Sequence, residues 1–267
     1  MTVRPSLLRA ALLLATPLAA LPLRAQGGGV EYSAGTTRYR LHTTTKGSQT
    51  SPMGNQDFQI EARQQLTVNV AKPAKDTIIA TVTLDSLSLK SAQMQQDVSG
   101  LVGSKFVTYL SPTGQFYSIQ KNANADPLAA QVTESVARFL PSYRRNLKAG
   151  LTWADTTSGK VSQQGMEVDR TIISNYKVLG DTAISGETAF KIQRLSTVKA
   201  AGSGTAQGTP VALESATSST AMIFLSPKGV YLGGRQNDDI NVKITILAQN
   251  AEISIKQQAE SRIEAIK

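Results

Sequence analysis

The sequence predicts a mainly β protein of the β-rich α+β class: a curled antiparallel sheet or half-barrel with one main amphipathic helix packed on its concave face. Three observations lead to this prediction. Apolar and polar residues alternate with a period of two over most of the chain, as in half-buried strands. Turns rich in Gly, Pro and polar residues separate the alternating segments. One segment, residues 126–140, spaces its apolar residues as an amphipathic helix does.

The N-terminus has the order of residues that is typical of a secretory signal peptide. Arg4 and Arg9 precede an apolar run over residues 10–23, and small or polar residues follow. The run is too short for a stable bilayer-spanning helix, which needs about 20 apolar residues. We therefore expect cleavage after Ala25, with cleavage after Ala20 as the alternative, and export to the periplasm or the cell exterior.

Composition limits the chemistry of the mature chain. The chain has no cysteine and one histidine, so it can form no disulfide and no thiolate metal site, and we predict no metal and no cofactor. Removal of residues 1–25 takes away three arginines and leaves 25 basic against 19 acidic residues. That excess is smaller and less clustered than the basic surface of a nucleic-acid binder. We predict no nucleic-acid partner and no transmembrane segment in the mature protein.

The first strands are defined by their alternation. Residues 38–45 alternate, and residues 58–70 place their apolar side chains on even positions, which makes them the clearest strand. In residues 78–89 the apolar side chains change from even to odd positions. A shift of one residue predicts a β-bulge near Asp85 and Ser86.

Residues 126–140 are predicted to form the helix. Asp126 is a good N-cap, Pro127 suits the first helical position, and Pro141 ends the helix. Its single apolar stripe predicts that it lies on a sheet face, where it either completes the core or covers a ligand cavity. In the second case the stripe and Trp153 line a cleft for a lipid or another hydrophobic ligand. The stripe comprises Leu128, Val132, Val136, Phe139 and Leu140.

The second half of the chain returns to the strand pattern. The predicted strands cover residues 167–179, 188–198, 217–225, 229–233, 240–248 and 252–266. An aromatic-Leu-Ser-Pro-x-Gly hairpin occurs in both halves, in residues 109–117 and 224–231. We infer two similar β units, residues 30–121 and 150–267, joined through the helix. Each unit is too thin to bury its apolar face alone, so we expect one domain over residues 26–267.

No set of residues predicts catalysis. His42 lies on the polar side of its strand and has neither an orienting acid nor a nucleophile at a recognisable spacing. Asp238 and Asp239 are the adjacent acidic pair, and we interpret them as solvated residues of a turn before a strand. We therefore predict no catalytic residue and no enzyme.

A basic cluster follows the helical stripe, in a stretch without acidic residues. Cations near a helix C-terminus complement the helix dipole and otherwise face water. The alternative is contact with lipid headgroups or another anionic surface. The cluster comprises Arg138, Arg144, Arg145 and Lys148.

Two motifs carry a resemblance to known proteins. They are Phe139-Leu140-Pro141 followed by Gly150-Leu151-Thr152-Trp153, and the hairpin that is used twice. With them the chain resembles a family of uncharacterised exported bacterial β-rich proteins over most of residues 39–266. Its predicted fold is more loosely similar to periplasmic lipoprotein carriers of the localisation-factor type. That similarity implies a hydrophobic-ligand cleft.

These observations predict an exported, non-enzymatic binding module for a lipid or another hydrophobic small molecule. The alternative is a structural or protein-interaction domain of the cell envelope with another envelope protein as its partner. A hydrolytic enzyme is the third hypothesis, and it requires a pocket that joins His42 to a carboxylate and a hydroxyl.

Overall fold

The computed structural model describes residues 29–91, 98–120, 136, 139–163, 166–206 and 208–266. The predicted signal peptide therefore lies outside the described residues. So do three of the predicted site residues, Leu128, Val132 and Arg138.

One antiparallel sheet of eleven strands accounts for most of the described chain. Its order is β5-β4-β3-β2-β1-β11-β10-β9-β8-β7-β6. Consecutive strands are adjacent except β5 and β6, which lie at the two edges, and β1 pairs with β11 in the middle. The strands are β1 Gly35–Ser51, β2 Gly54–Ala74, β3 Thr77–Ser91, β4 Lys105–Leu110, β5 Phe116–Ile119, β6 Thr152–Gln163, β7 Met166–Ile184, β8 Glu187–Ala206, β9 Thr209–Leu225, β10 Tyr231–Ile246 and β11 Ala251–Ile266.

The first and last strands pair in the middle of the sheet. Their antiparallel register runs from Arg38 opposite Ile266 to Thr50 opposite Ser254. Strands β1 to β5 extend from this ladder on one side, and β11 back to β6 extend on the other. The two ends of the chain thus join its two halves into one hydrogen-bonded sheet.

The predicted α+β class and its main amphipathic helix are wrong. Among the described residues, helical geometry is limited to the single 3-10 turns Ser99–Leu101 and Leu247–Gln249 and to residue 136. Most of the predicted helix, 126–140, lies outside the described residues, and Phe139 and Leu140 at its end are not helical. Phe139 and Leu140 meet the core from a non-helical stretch, so helical spacing alone did not fix the backbone conformation of these two residues.

The predicted β-bulge is confirmed. Gln65 lies opposite Ser86 and Leu66 lies opposite Leu84, so Asp85 is an extra residue in β3. The hydroxyl of Thr67 donates a hydrogen bond to the Asp85 carboxylate at 2.7 Å. The change from even to odd apolar positions therefore has its expected structural cause.

The sheet curls so that side chains of distant strands belong to the same buried cluster. A cluster of buried residues joins Leu84 on β3 to Val178 on β7, although six strands separate these two in the sheet order. A second cluster joins Phe58 on β2 to Val168 on β7. The inner face is therefore buried against itself, and the outer face is convex and carries most of the charge.

The segment Glu31–Ser33 holds one end of the curled sheet. The Tyr32 amide donates to the carbonyl of Pro112 at 2.8 Å, and the Ser33 amide donates to that of Gly229 at 3.0 Å. Pro112 and Gly229 belong to the two copies of the Leu-Ser-Pro-x-Gly turn. The buried Tyr32 hydroxyl also donates to the carbonyl of Pro141 at 2.7 Å. One short segment thus ties both repeated turns and the chain after residue 139 together.

Replacement of Gly229 by Ala is expected to destabilise the protein. Gly229 has a φ of 75°, and an added Cβ would lie 1.6 Å from the Glu31 carbonyl oxygen. We expect a loss of at least about 1–3 kcal/mol in the free energy of unfolding, measured by urea denaturation, because strain and clash add. Gly103→Ala is the control, since Gly103 has a φ of 85° and open space around it. Equal losses in the two variants would contradict the proposed clamp.

Candidate functional site

A groove of about 1240 Å³ lies on the outer face, where β1 begins and β9 and β11 end. Its floor includes Met222 and Phe224 of β9 and Leu232 of β10. One wall comes from the β7–β8 hairpin at Ile184, and the opposite wall comes from the end of β11 at Ile266. The groove is lined by both apolar and charged residues, an arrangement that suits an amphiphilic ligand.

The apolar floor exists because the outward-facing residues of β9 change from polar to apolar near the end of the strand. Ile223 and Leu225 are buried in the core, so Met222 and Phe224 project from the opposite, outer face. Earlier outer-face positions of β9, such as Ser218 and Thr220, are exposed and polar. Two apolar residues at the end of a polar row therefore form an apolar outer surface.

Glycines allow the strands below the groove to approach closely. Gly233 and Gly234 follow an irregularity in the β9–β10 register at Leu232. A Cβ on Gly233 would lie 2.2 Å from the Ile263 carbonyl oxygen, and one on Gly234 would lie 2.4 Å from that of Met222. Because positions 233 and 234 have no side chain, β10 can lie this close to the backbones of β9 and β11 below the groove.

The charged residues at the groove are mostly cations. Four basic residues and two acidic residues contribute to its lining: Arg38, Lys191, Arg235 and Arg262, and Glu187 and Glu264. Arg235 and Arg262 lie directly opposite each other across β10 and β11. The guanidinium of Arg262 pairs with Glu264 on its own strand. Two like charges in opposed positions repel each other, so this arrangement favours a bound anion.

The predicted cleft residues that the structure describes lie in the core beneath the inner face. Val136 and Leu140 are buried in the first cluster, and Phe139 packs against it. The Phe139 ring meets the Tyr39 ring edge to face at a centroid distance of 4.8 Å. Trp153 stacks on Tyr176 at 4.7 Å. The structure therefore brings these predicted residues to one core, while their assignment to a ligand stays a prediction.

A small cavity remains beside this core. It measures about 160 Å³ and is lined by Tyr39, Leu140 and Tyr231, among others. The hydroxyl of Tyr39 donates to the Tyr231 carbonyl at 2.9 Å, so the aromatic cluster is also tied by a hydrogen bond. This volume is below the roughly 300–1000 Å³ of typical ligand sites.

The basic cluster is divided among different partners. Arg145 pairs with Glu31 at 2.7 Å, and Arg144 lies 3.8 Å from Asp155. Lys148 is exposed. Arg145 therefore ties the chain after residue 139 to the N-terminal segment, and contact of the cluster with an anionic surface stays a prediction.

His42 lies on the exposed outer face. Its Nε2 atom is 2.9 Å from Glu61 Oε1, and the same oxygen accepts a hydrogen bond from Arg63 Nε at 2.7 Å. The Arg63 hydrogen bond, with a smaller contribution from His42, lowers the pKa of Glu61. His42 thus has a carboxylate neighbour in an exposed, charge-paired cluster.

The interpretation of Asp238 and Asp239 as turn residues is wrong. Both lie inside β10, and Asp238 is only 4% exposed. Asp238 belongs to a row of directly paired inner-face positions between the two apolar clusters. We call the polar residues of this row the polar band; the apolar Ala259 lies between Asp238 and Thr45 in the row. The polar band comprises Asp155, Ser174, Ser196, Ser219, Asp238 and Thr45.

Buried hydrogen bonds extend the polar band to its neighbours. Arg194 is 7% exposed and donates to Gln236 at 2.8 Å, and the Gln236 amide donates to both Asp238 oxygens at 2.9 and 2.8 Å. Burial raises the pKa of Asp238, while the side chains of Ser219 and Gln236 and then the charge of Arg194 lower this pKa in part. Gln257, 3% exposed, has no hydrogen-bond partner at either side-chain amide atom among the described residues.

Sequence reasoning missed the groove and the polar band. The apolar pair Met222 and Phe224 beside buried Ile223 and Leu225 is a readable break in alternation. The cations that surround the groove come from β1, β8, β10 and β11. Their proximity follows from the strand order, which the sequence pattern did not contain.

No family model and no curated protein matches this chain. Three solved structures show weak similarity. A COG4313 outer membrane channel from Pseudomonas putida F1 is 8% identical, with 91% of this chain and 100% of that chain covered and a TM-score of 0.28. A domain described as that of an outer membrane lipoprotein-sorting protein from Vibrio parahaemolyticus is 10% identical, with coverages of 82% and 83% and a TM-score of 0.18. A DUF1329 family protein from Desulfovibrio piger is 6% identical, with the same coverages and a TM-score of 0.13.

These neighbours include the kinds of protein that the sequence resembles. They include a DUF1329 family protein and a lipoprotein-sorting domain, which are β-rich and lipoprotein-related proteins of the kinds named above as resemblances. At these TM-scores the likeness carries no argument about function. The names of two of the three neighbours refer to the outer membrane.

Two features of the described residues concern membrane-spanning helices and metal ligands. Neither 3-10 turn nor any other helix there has the length and hydropathy to span a bilayer. The same residues contain no group of three or more His, Cys, Asp or Glu side chains arranged to hold a metal ion.

Asp238 should make stability depend on pH in a defined direction. Because burial raises its pKa above the unfolded value of about 3.9, the folded state binds the proton more tightly. The stabilising contribution is complete below that value and is lost as the pH rises through the folded pKa. In urea unfolding, the stability of the wild type relative to Asp238→Asn should therefore fall as the pH rises from about 4 towards neutrality.

Asp239→Asn is the matched control for the loss of one carboxylate. Asp239 is exposed on the outer face and accepts a hydrogen bond from Gln258 at 2.9 Å. A wild-type advantage over Asp238→Asn that stayed constant or grew with pH would refute the assignment of a raised pKa to Asp238.

Proposed function

We propose that the protein is an exported, non-enzymatic binding module that takes a hydrophobic or amphiphilic small molecule in the outer groove. The observation that carries the proposal is a groove of about 1240 Å³ with Met222, Phe224 and Leu232 in its lining. Its volume is sufficient for a ligand of ordinary size. Export is expected from the predicted signal peptide.

Burial supports the assignment of the groove to a ligand. Met222 and Phe224 are half-buried on a face whose other positions along β9 are mostly exposed. Apolar side chains that stay partly open to water gain free energy when a ligand covers them, by about 25 cal/mol per Å² of apolar surface. A ligand that covered this floor would therefore be stabilised without any change in the core.

Among the described residues, the inner face beside Phe139 is packed with aromatic side chains. Phe139, Tyr39 and Tyr231 fill the space between the sheet and the chain after residue 139. The cavity of about 160 Å³ beside them is smaller than typical ligand sites. For this reason we place the ligand on the outer face.

Phe224→Glu should abolish binding of a neutral apolar probe. N-phenyl-1-naphthylamine fluorescence measures the binding, and we expect at least a tenfold loss of affinity because the change puts a carboxylate on the apolar floor. Ser218→Glu is the control on the same face of β9, outside the groove. Thermal unfolding of both variants reports whether they stay folded.

A second variant tests the groove without altering its floor. Ala183 is exposed and lines the groove, so Ala183→Trp should occupy space and reduce probe binding. Ala216→Trp places the same bulk at an exposed outer position of β9 that does not line it. Unchanged probe binding in both Phe224→Glu and Ala183→Trp would overturn the proposed function.

A further inference from the structure

We infer that the ligand of the groove is a free single-chain amphiphile with an anionic headgroup. This inference rests on the proposed function and adds the charge of the ligand to it. The apolar floor accounts for the chain of such a molecule. The cations that surround the floor account for its headgroup, and the two can be tested separately.

The first argument is the balance of charge. Four cations and two carboxylates contribute to the groove, so its lining carries an excess of positive charge. Glu264 is paired with Arg262. Among the described residues, Arg38, Lys191 and Arg235 form no ion pair. A single anionic group in the groove would supply the missing partner, and it would be held in part by charge-assisted hydrogen bonds.

The second argument is the position of the cations around the floor. Lys191 lies directly opposite Phe224 across β8 and β9, and Arg235 lies directly opposite Met222 across β9 and β10. Directly paired residues have Cβ atoms about 4.5–5.5 Å apart. Phe224 and Met222 therefore each have a cation as an immediate cross-strand neighbour, so the groove can bind the apolar and the anionic part of one molecule together.

The third argument is the opposed pair of arginines. Arg235 and Arg262 occupy directly paired positions on β10 and β11, where like charges destabilise a sheet. Two of the four groove cations therefore stand side by side on neighbouring strands. An anion placed between the strands would relieve the repulsion.

A curved groove with charge on several sides favours a single molecule over a flat membrane surface. The β7–β8 hairpin at Ile184–Glu187 and the end of β11 at Ile266 stand on different sides of the floor. A bilayer surface cannot reach a floor between two walls without leaving its own plane. We therefore assign the site to a monomeric amphiphile.

The test compares three ten-carbon molecules as competitors of N-phenyl-1-naphthylamine: decanoate, decanol and decyltrimethylammonium. The variant, which we call the groove variant, combines Arg38→Gln, Lys191→Gln and Arg235→Gln. The concentration of decanoate needed for displacement should rise about tenfold, because exposed pairs contribute modestly and add. Decanol should change by less than about twofold. Added salt should weaken decanoate in the wild type and much less in the variant.

The matched control removes three outer-face lysines that do not line the groove: Lys46→Gln, Lys199→Gln and Lys256→Gln. Its net charge equals that of the groove variant, so an unchanged displacement by decanoate in the control supports a local effect. Equal weakening in both variants would attribute the effect to net charge and overturn the inference.

The remaining outcomes separate the inference from the proposed function. Suppose that Phe224→Glu abolishes probe binding, but decanoate and decanol displace the probe from the groove variant as they do from the wild type. The groove then binds a ligand, and the anionic headgroup is refuted. If decyltrimethylammonium competes better than decanoate, the charge assignment is also refuted. A groove variant that loses flotation with phosphatidylglycerol vesicles, yet keeps its decanoate affinity, would replace the free amphiphile by a membrane surface.

Discussion

A single sheet must bury its own apolar face, and this constraint governs the structure. The described chain offers little besides strands to cover the inner side, so the sheet curls until β2 and β3 meet β7 in shared clusters. Apolar side chains on both sides of the curl leave water together, and this burial is the main favourable term in folding. The ladder between β1 and β11 makes the curl continuous, because it joins the first and last strands in the middle of the sheet.

Curling also explains where polar and functional features lie. Inside, the polar band crosses between the two apolar clusters and carries Asp238, whose hydrogen bonds through Gln236 reach the buried Arg194. A buried charge network of this kind is costly unless each group has its partner. Outside, the convex face is charged, and the groove forms where β9 ends with Met222 and Phe224 on that face. Among the described residues, packing and hydrogen bonds thus hold the interior beside Tyr39 and Asp238, while the groove lies on the outer face.

The repeated Leu-Ser-Pro-x-Gly turn shows how a local motif acquires a structural role. In each copy the glycine amide donates to the carbonyl of the motif's serine, at 2.9 Å in both Gly114 and Gly229. The N-terminal segment then binds both turns through Tyr32 and Ser33. The motif itself is readable in the sequence. The N-terminal segment lies about 80 residues from one copy of the turn and about 200 from the other. Its contact with both turns depends on the curl of the whole sheet.

The sequence by itself determined the antiparallel strands, the bulge at Asp85 and the positions of the repeated turns, because period-two alternation and turn residues are local properties of the chain. It also indicated that Val136 and Leu140 are buried. Only the tertiary structure decided that Asp238 faces the interior and that Lys191 and Arg235 flank an apolar floor. Those facts depend on which strands are neighbours and how the sheet curls, and such pairings over long sequence separations leave no periodic signal in any one segment.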